Sequence, residues 1–333
     1  MRSHHLLLLA TIAFAPGTAL AVPTYTITDI GDLGGTFSLG FDVNNAGQVT
    51  GAGLIQNDVG QYAFLWDPVS GIQDLGTLGG RFSQGIGINA RGQITGNSLL
   101  PGPEITGRVH AFLWEPTTGM RELGTISGGD GFSQGTDIND QGQVTGGGNI
   151  DDPNTPSHAF LWDPATGMQD LGTLDGDRVS LGLGINAGGQ VTGRSGTFDD
   201  TAGRYNAFLW DPATGMRDIG TRSGEFSIGN DINDRGQITG TNQTSDADFR
   251  AFLWDSANGI QDLGKPQVQG HQAGGKARCP VTASAVIMAH EPSPDPRRLR
   301  RIPVRLHGRI RSLSPPAADR PDPGRTHPAR PRA

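Results

Sequence analysis

The chain has 333 residues, of which 52 are Gly, with aromatics at 6% and hydrophobic residues at 35%. That composition excludes a large helical core and favours a turn-rich β protein. The single cysteine, Cys279, excludes an intramolecular disulfide and a cysteine-built zinc cluster. The formal net charge of -7 conceals an asymmetry: residues 1–264 carry 12 Arg, no Lys and 29 Asp+Glu, whereas residues 265–333 carry 14 Lys+Arg and 4 Asp+Glu. Phosphate binding needs clustered Lys and Arg, so the acidic body excludes nucleic acid as its partner.

Residues 1–21 read as a signal peptide. Arg2, His4 and His5 form a basic start, Leu6 to Phe14 an apolar run, and Ala19-Leu20-Ala21 a small-residue cleavage site. The apolar run is too short for a span of about 20 residues, so no membrane segment is expected after cleavage. The expected location is secreted, either extracellular or periplasmic.

From residue 22 to residue 264 the chain repeats itself. Asn-x-x-Gly-Gln-(Val/Ile)-Thr-Gly recurs with its Gln at Gln48, Gln93, Gln143, Gln190 and Gln237, and Ala-Phe-Leu-Trp recurs with Trp66, Trp114, Trp162, Trp210 and Trp254. Asp/Glu-(Leu/Ile)-Gly forms a third series, read at Asp32, Asp74, Glu122, Asp170, Asp218 and Asp262. Asn89-Ala90-Arg91-Gly92 suits a type I turn followed by Gly at the left-handed position, which predicts a hairpin between Ser83–Ile88 and Gln93–Gly96. Asp163-Pro164-Ala165-Thr166-Gly167 predicts a second hairpin, joining Ala159–Trp162 to Met168–Leu171. Two hairpins in each repeat make a four-stranded meander of the size of a propeller blade. The Ala-Phe-Leu-Trp strands are apolar on both faces, as expected of a blade covered by a neighbour on each side. The expected fold is therefore all-β and propeller-like, with a stacked β-solenoid as the alternative.

His110-Ala111-Phe112 and His158-Ala159-Phe160, with the Leu-Trp, Asp-Leu-Gly, Ile-Asn and Gly-Gln-Val-Thr-Gly that follow, resemble the HAF family of probable extracellular repeats. The resemblance covers about Tyr25 to Gly264 and implies secretion and repetition, with no established activity. Tyr62, Asn206 and Arg250 replace the family's His in the other copies, which argues against that His as an obligatory ligand.

The mature chain opens on Tyr25 to Leu33, which matches the fourth strand of a repeat, ahead of five full repeats. The expectation is five blades plus an extra N-terminal strand, of the kind that closes a propeller with strands from both termini. After Gly264 the repeat signals stop. Residues 265–333 hold 12 of the 22 Pro and the run Arg297-Arg298-Leu299-Arg300-Arg301. They read as a Pro/Arg-rich disordered tail, or as out-of-frame translation.

A residue present in every repeat is explained by folding before chemistry. No Gly-x-Ser-x-Gly or His-Glu-x-x-His motif is present, so no catalytic or cofactor-binding residue is assigned. The weak calcium candidates are the loop acids Asp151, Asp152, Asp199, Asp200, Asp246 and Asp248, which supply oxygen ligands without the spacing of a known calcium loop. Three readings follow. The first is a non-catalytic interaction or scaffold module for an extracellular carbohydrate or protein. The second is a propeller hydrolase such as a glycosidase, with Glu104, Glu225 or Asp177 as candidate acids. The third is a degenerate product without activity.

Overall fold

In a computed structural model the described residues are 28–102, 108–129, 131–150, 157–197, 204–220, 226–244 and 248–264. The expected signal peptide and tail lie outside them. The chain divides into two units, Met1–Pro292 and Ser293–Ala333, and every described residue belongs to the first.

The Asn-x-x-Gly turn forms as its residues require. Asn89 N donates to Gln93 O at 3.0 Å and Gly92 N to Asn89 O at 3.1 Å. Gly92 sits at φ 74°, where a side chain would be strained. The hairpin it joins pairs Ser83–Ile88 with Ile94–Leu99, and the second kind of turn joins His158–Asp163 to Gly167–Asp170. Repeated along the chain, these two turns build five antiparallel sheets of four consecutive strands. They are numbered here I (34–74), II (83–124), III (133–170), IV (179–218) and V (227–262). All strand ladders lie within a repeat, unlike a solenoid, which pairs equivalent strands of successive repeats.

Successive sheets pack face to face. Ala111, Leu113 and Leu123 of sheet II meet Ile138, Val144, Phe160 and Trp162 of sheet III, and the same columns meet between I and II, III and IV, and IV and V. The first strands of neighbouring sheets also touch, lining a common inner side. The architecture is a β-propeller-like array of five blades. Phe64, Phe112, Phe160, Phe208 and Phe252 are the largest fully buried side chains, one to each blade. Full burial of such a side chain contributes roughly 1.5–3 kcal/mol.

Close approach between blades explains two recurring small residues. A Cβ at Gly85, Gly135, Gly182 or Gly229 would lie within 2.1–2.3 Å of the Thr hydroxyl of the preceding sheet, which are Thr50, Thr95, Thr145 and Thr192 in turn. Each of those hydroxyls donates to a Phe carbonyl of its own sheet, as Thr95 does to Phe112 O at 2.9 Å. The pair is thus an inter-blade contact written as Thr in one motif and Gly in the next. Replacing Gly135 by Ala should cost roughly 1–3 kcal/mol through overpacking. Adding Thr95→Ala should recover part of that loss, a coupling of about 0.5 kcal/mol or more. Denaturant unfolding of the two single variants and the double variant measures it, and strict additivity would exclude the contact.

Candidate functional site

Antiparallel strand order fixes which loops share an end. The turns between first and second strands, and between third and fourth, lie at one end and are nearly invariant. The connections from second to third strand, and from each sheet to the next, lie at the other end, where length and sequence vary. Parallel bridges Gln61↔Phe82, Ser157↔Val179 and Tyr205↔Phe226 bring the starts of third strands against the entry to the next sheet there.

At the invariant end the polar side chains are occupied in holding blades. Asn44 Oδ1 accepts from Ala46 N and Gln48 N, both at 3.0 Å, while its Nδ2 donates to Gln48 Oε1 at 2.7 Å and, across the interface, to Asn89 O at 3.0 Å. Asn89, Asn139 and Asn186 reach Asn139, Asn186 and Asn233 in the same way. The repeat's Gln then donates to the acid heading the next turn: Gln48 to Asp67, Gln93 to Glu115, Gln143 to Asp163 and Gln190 to Asp211. The Ala165 amide, with Gln143, holds the Asp163 carboxyl below its ordinary pKa, and Gln190 with the Ala213 amide does so for Asp211.

The Asp-Leu-Gly acids are likewise engaged. Gly76 N, Gly172 N, Gly220 N and Gly264 N donate to Asp74, Asp170, Asp218 and Asp262. The other side of four of these acids takes the residue that precedes Ala-Phe: His110 to Glu122, His158 to Asp170, Asn206 to Asp218 and Arg250 to Asp262. Both histidines are thus tied to a carboxylate of the fourth strand. They belong to a column that accepts any donor, and His110 is buried with its Nε2 2.8 Å from Gly131 O. Burial raises Asp170, but the bonds from His158 and Gly172 outweigh it and hold the carboxyl low.

Of the calcium candidates, Asp151, Asp152, Asp199, Asp200 and Asp246 lie outside the described residues. Asp248 closes its loop by backbone, its carbonyl accepting from Thr244 N at 2.8 Å. Among the described residues no group of three His, Cys, Asp or Glu converges to hold a metal ion. Glu104 and Glu225 also lie outside. Asp177 accepts from Ser195 Oγ at 2.8 Å, tying a connecting loop to a second strand.

Two groups of residues escaped the sequence reading. The first is on the inner side, where Asp42, Asp137 and Asp231 occupy the equivalent first-strand position of sheets I, III and V. Asp137 retains some accessible surface yet is ringed by protein. Burial, reinforced by the charges of Asp231 and Asp42, pushes its pKa up to about 8. The second lies at the variable end, where Arg194 stacks 4.9 Å over the Tyr205 ring. Tyr205 meets Phe226 edge-on at 5.9 Å, and Phe226 meets Phe249 at 5.5 Å. Phe249 is 59% exposed. Tyr205 and Phe249 share a variable third-strand position, whereas Phe226 belongs to the recurring Phe-Ser pair, and the Tyr205–Phe226 contact is the one that crosses from sheet IV to sheet V.

No family model matches the chain, and no curated protein matches it. Among solved structures it is similar to TolB from Acinetobacter baumannii, at 11% identity and TM-score 0.44, over 67% of this chain and 53% of that one. It is similar to the β-propeller domain of the trilobed protease from Pyrococcus furiosus at 16% identity and TM-score 0.45, covering 66% and 64%. It is also similar to Aleuria aurantia lectin, described as a six-bladed β-propeller, at 12% identity and TM-score 0.32, covering 68% and 76%. The chain thus spans little more than half of the TolB chain. Among the described residues no helix is long and apolar enough to cross a membrane.

Asp137 carries a pH consequence. Its folded pKa lies above the ordinary 3.8, so the native state holds a proton that the unfolded chain releases. The resulting stability is fully present below about pH 4 and is lost as pH rises through about 8. Asp137→Gly, the residue that sheets II and IV use there, should flatten the fall in Tm across that window relative to the unaltered chain. Parallel slopes would exclude the shift.

Proposed function

We propose that the protein is a secreted, non-catalytic binding module that recognises an extracellular carbohydrate or protein with the variable-loop end of its blades. One observation carries this reading: the recurring polar side chains are consumed in turn and blade contacts, while departures from the repeat gather at the variable-loop end. Catalysis by paired carboxylates needs acids free to exchange protons with substrate. The described repeat acids instead accept amide, imidazole or guanidinium hydrogens from their own fold. The exposed end of the Arg194–Tyr205–Phe226–Phe249 stack offers an aromatic surface of the kind that binding loops use. Export is supported by the signal-like residues 1–21 and by the resemblance to the HAF repeats.

Screening the purified protein on a glycan array, with an extracellular-protein array in parallel, tests the reading. Bound ligand should weaken at least about tenfold, or about 1.4 kcal/mol, in Phe249→Ala and Tyr205→Ala. Phe249→Ala should leave Tm nearly unchanged, since that ring is mostly exposed. Cleavage of an arrayed glycan, or binding indifferent to both substitutions, would count against it.

A further inference from the structure

An interface built four times in one chain shows what each end of the stack lacks. At the inner interfaces Ile88, Ile138, Ile185 and Ile232 are 3–6% exposed, whereas Val43, their equivalent in sheet I, is 39% exposed. On the opposite face Leu75, Leu123, Leu171 and Ile219 are 6–8% exposed, whereas Leu263 of sheet V is 44% exposed. Phe37, Leu39 and Phe41 of the first strand of sheet I are exposed as well, at 40–51%. Sheet V does not pack on sheet I in the way that each other successive pair packs.

The polar contacts end in matching halves. Asn233 donates to Gln237 Oε1 at 2.9 Å but has no sixth asparagine carbonyl to reach among the described residues. Asn44 O accepts from Gly47 N at 3.0 Å and, among the described residues, receives no side chain from a preceding sheet. The Thr–Gly approach is missing there as well, since a Cβ at Gly40 would meet nothing closer than Val49 Cγ1 of its own sheet, at 3.1 Å. In the asparagine contact sheet V thus presents the donor half and sheet I the acceptor half.

Part of the missing neighbour is already in place. Gly31 N donates to Asp29 Oδ1 at 2.9 Å and Ser38 Oγ donates to Gly31 O at 2.9 Å. These bonds reproduce Gly76 N to Asp74 Oδ1 and Ser83 Oγ to Gly76 O at the next interface. Asp29-Ile30-Gly31 therefore stands where the fourth strand of a preceding sheet would end, and what remains open is the place of strands one to three. The inner side states one further requirement. The first strands carry Asp42, Gly87, Asp137, Gly184 and Asp231 in turn; a Cβ at Gly87 would lie 3.2 Å from Asp137 Cα, and one at Gly184 would lie 2.8 Å from Asp231 Cα. One added sheet with Gly at this position completes the alternation between Asp231 and Asp42.

We propose that the space between sheets V and I is a docking slot for a three-stranded segment of this same repeat on a partner polypeptide, with Gly at the inner position and residues 29–31 supplying the end of its fourth strand. The proposal is independent of the ligand-binding reading of the loop end.

The test repeats residues 173–214, the first three strands of sheet IV with their flanking turns, between Gly264 and Lys265 of the full chain. Hydrogen exchange at Val43, Thr239 and Leu263 should slow at least about tenfold and Tm should rise in one transition. The same segment, added in excess as a separate polypeptide, should protect the same amides. Gly184→Asp within the insert should lose most of this protection. An insert that stays unstructured, or one that folds while Val43 and Leu263 exchange as before, overturns the proposal. So does an unaltered chain whose two faces are already protected, by self-association in sedimentation or by its own tail.

Discussion

The structure depends on one side chain used in the same way in successive blades. Each buried asparagine of the Asn-x-x-Gly turn spends its carbonyl on two amides of its own turn and its amide on two acceptors. One acceptor is in the turn and the other is the asparagine carbonyl of the next sheet. Aspartate could cap the turn but has no donor for the neighbouring blade, and glutamine is too long for the tight cap. The turn conformation and the placement of the next sheet are therefore set by one group. A buried polar network of this sort is stabilising only when its members are all satisfied, so the motif tolerates little substitution and recurs nearly unchanged.

That constraint decides where variation is permitted. Ser83, Ser133, Ser180 and Ser227 each accept from the Ala amide of the preceding sheet, at 2.8–2.9 Å. Together with the Thr–Gly approach and the Ile–Leu–Trp packing, they fill the blade faces with contacts that leave no room for a ligand. Blade faces and the invariant end thus go to assembly. The second-to-third-strand connections differ in length and sequence, and the described one of sheet I holds itself: the left-handed turn at Asn57 and Asp58 is clasped by Thr36 through Asp58.

Much of the fold was legible in the sequence because its signals are local. Ser83–Ile88 appears at the expected bounds, and His158–Asp163 extends the expected Ala159–Trp162 by one residue at each end. Both are set by turn chemistry within a few residues. The phase at the N-terminus was read less well. The series places Asp32 with Asp74, but the bond to the following glycine shows Asp29 to be the equivalent, and Asp32 matches Thr77, each capping a glycine amide two residues on. Asp-x-Gly occurs at both positions, and only the contact with Ser38 separates them. The candidate site was legible as a set of loops but not as residues. Tyr205 and Phe249 share a third-strand position that holds Gln61, Val109 and Ser157 in the other sheets, and Tyr205 meets the recurring Phe226 only where sheet V packs on sheet IV. The histidine column shows the converse: His110 and Arg250 align in the sequence, but what they share, an acid of the fourth strand, appears only with the register of third and fourth strands.

The alternation of Asp and Gly on the inner side illustrates how a repeat protein can carry information at twice its sequence period. Were the first strands identical, five carboxylates would crowd a buried surface where even one is driven toward its neutral form. Five glycines would leave it without the acceptors that Asp42 offers to Ile88 N and Asp137 to Ile185 N, each at 2.9 Å. Alternation meets both demands: the carboxylate of one sheet bonds the amide of the next, and the glycine beside that amide makes the space. An odd number of blades cannot continue the pattern around a ring, since two aspartates must then become neighbours. The inner lining therefore asks for an even count, just as the exposed blade faces and the unmatched asparagine do at the two ends of the stack.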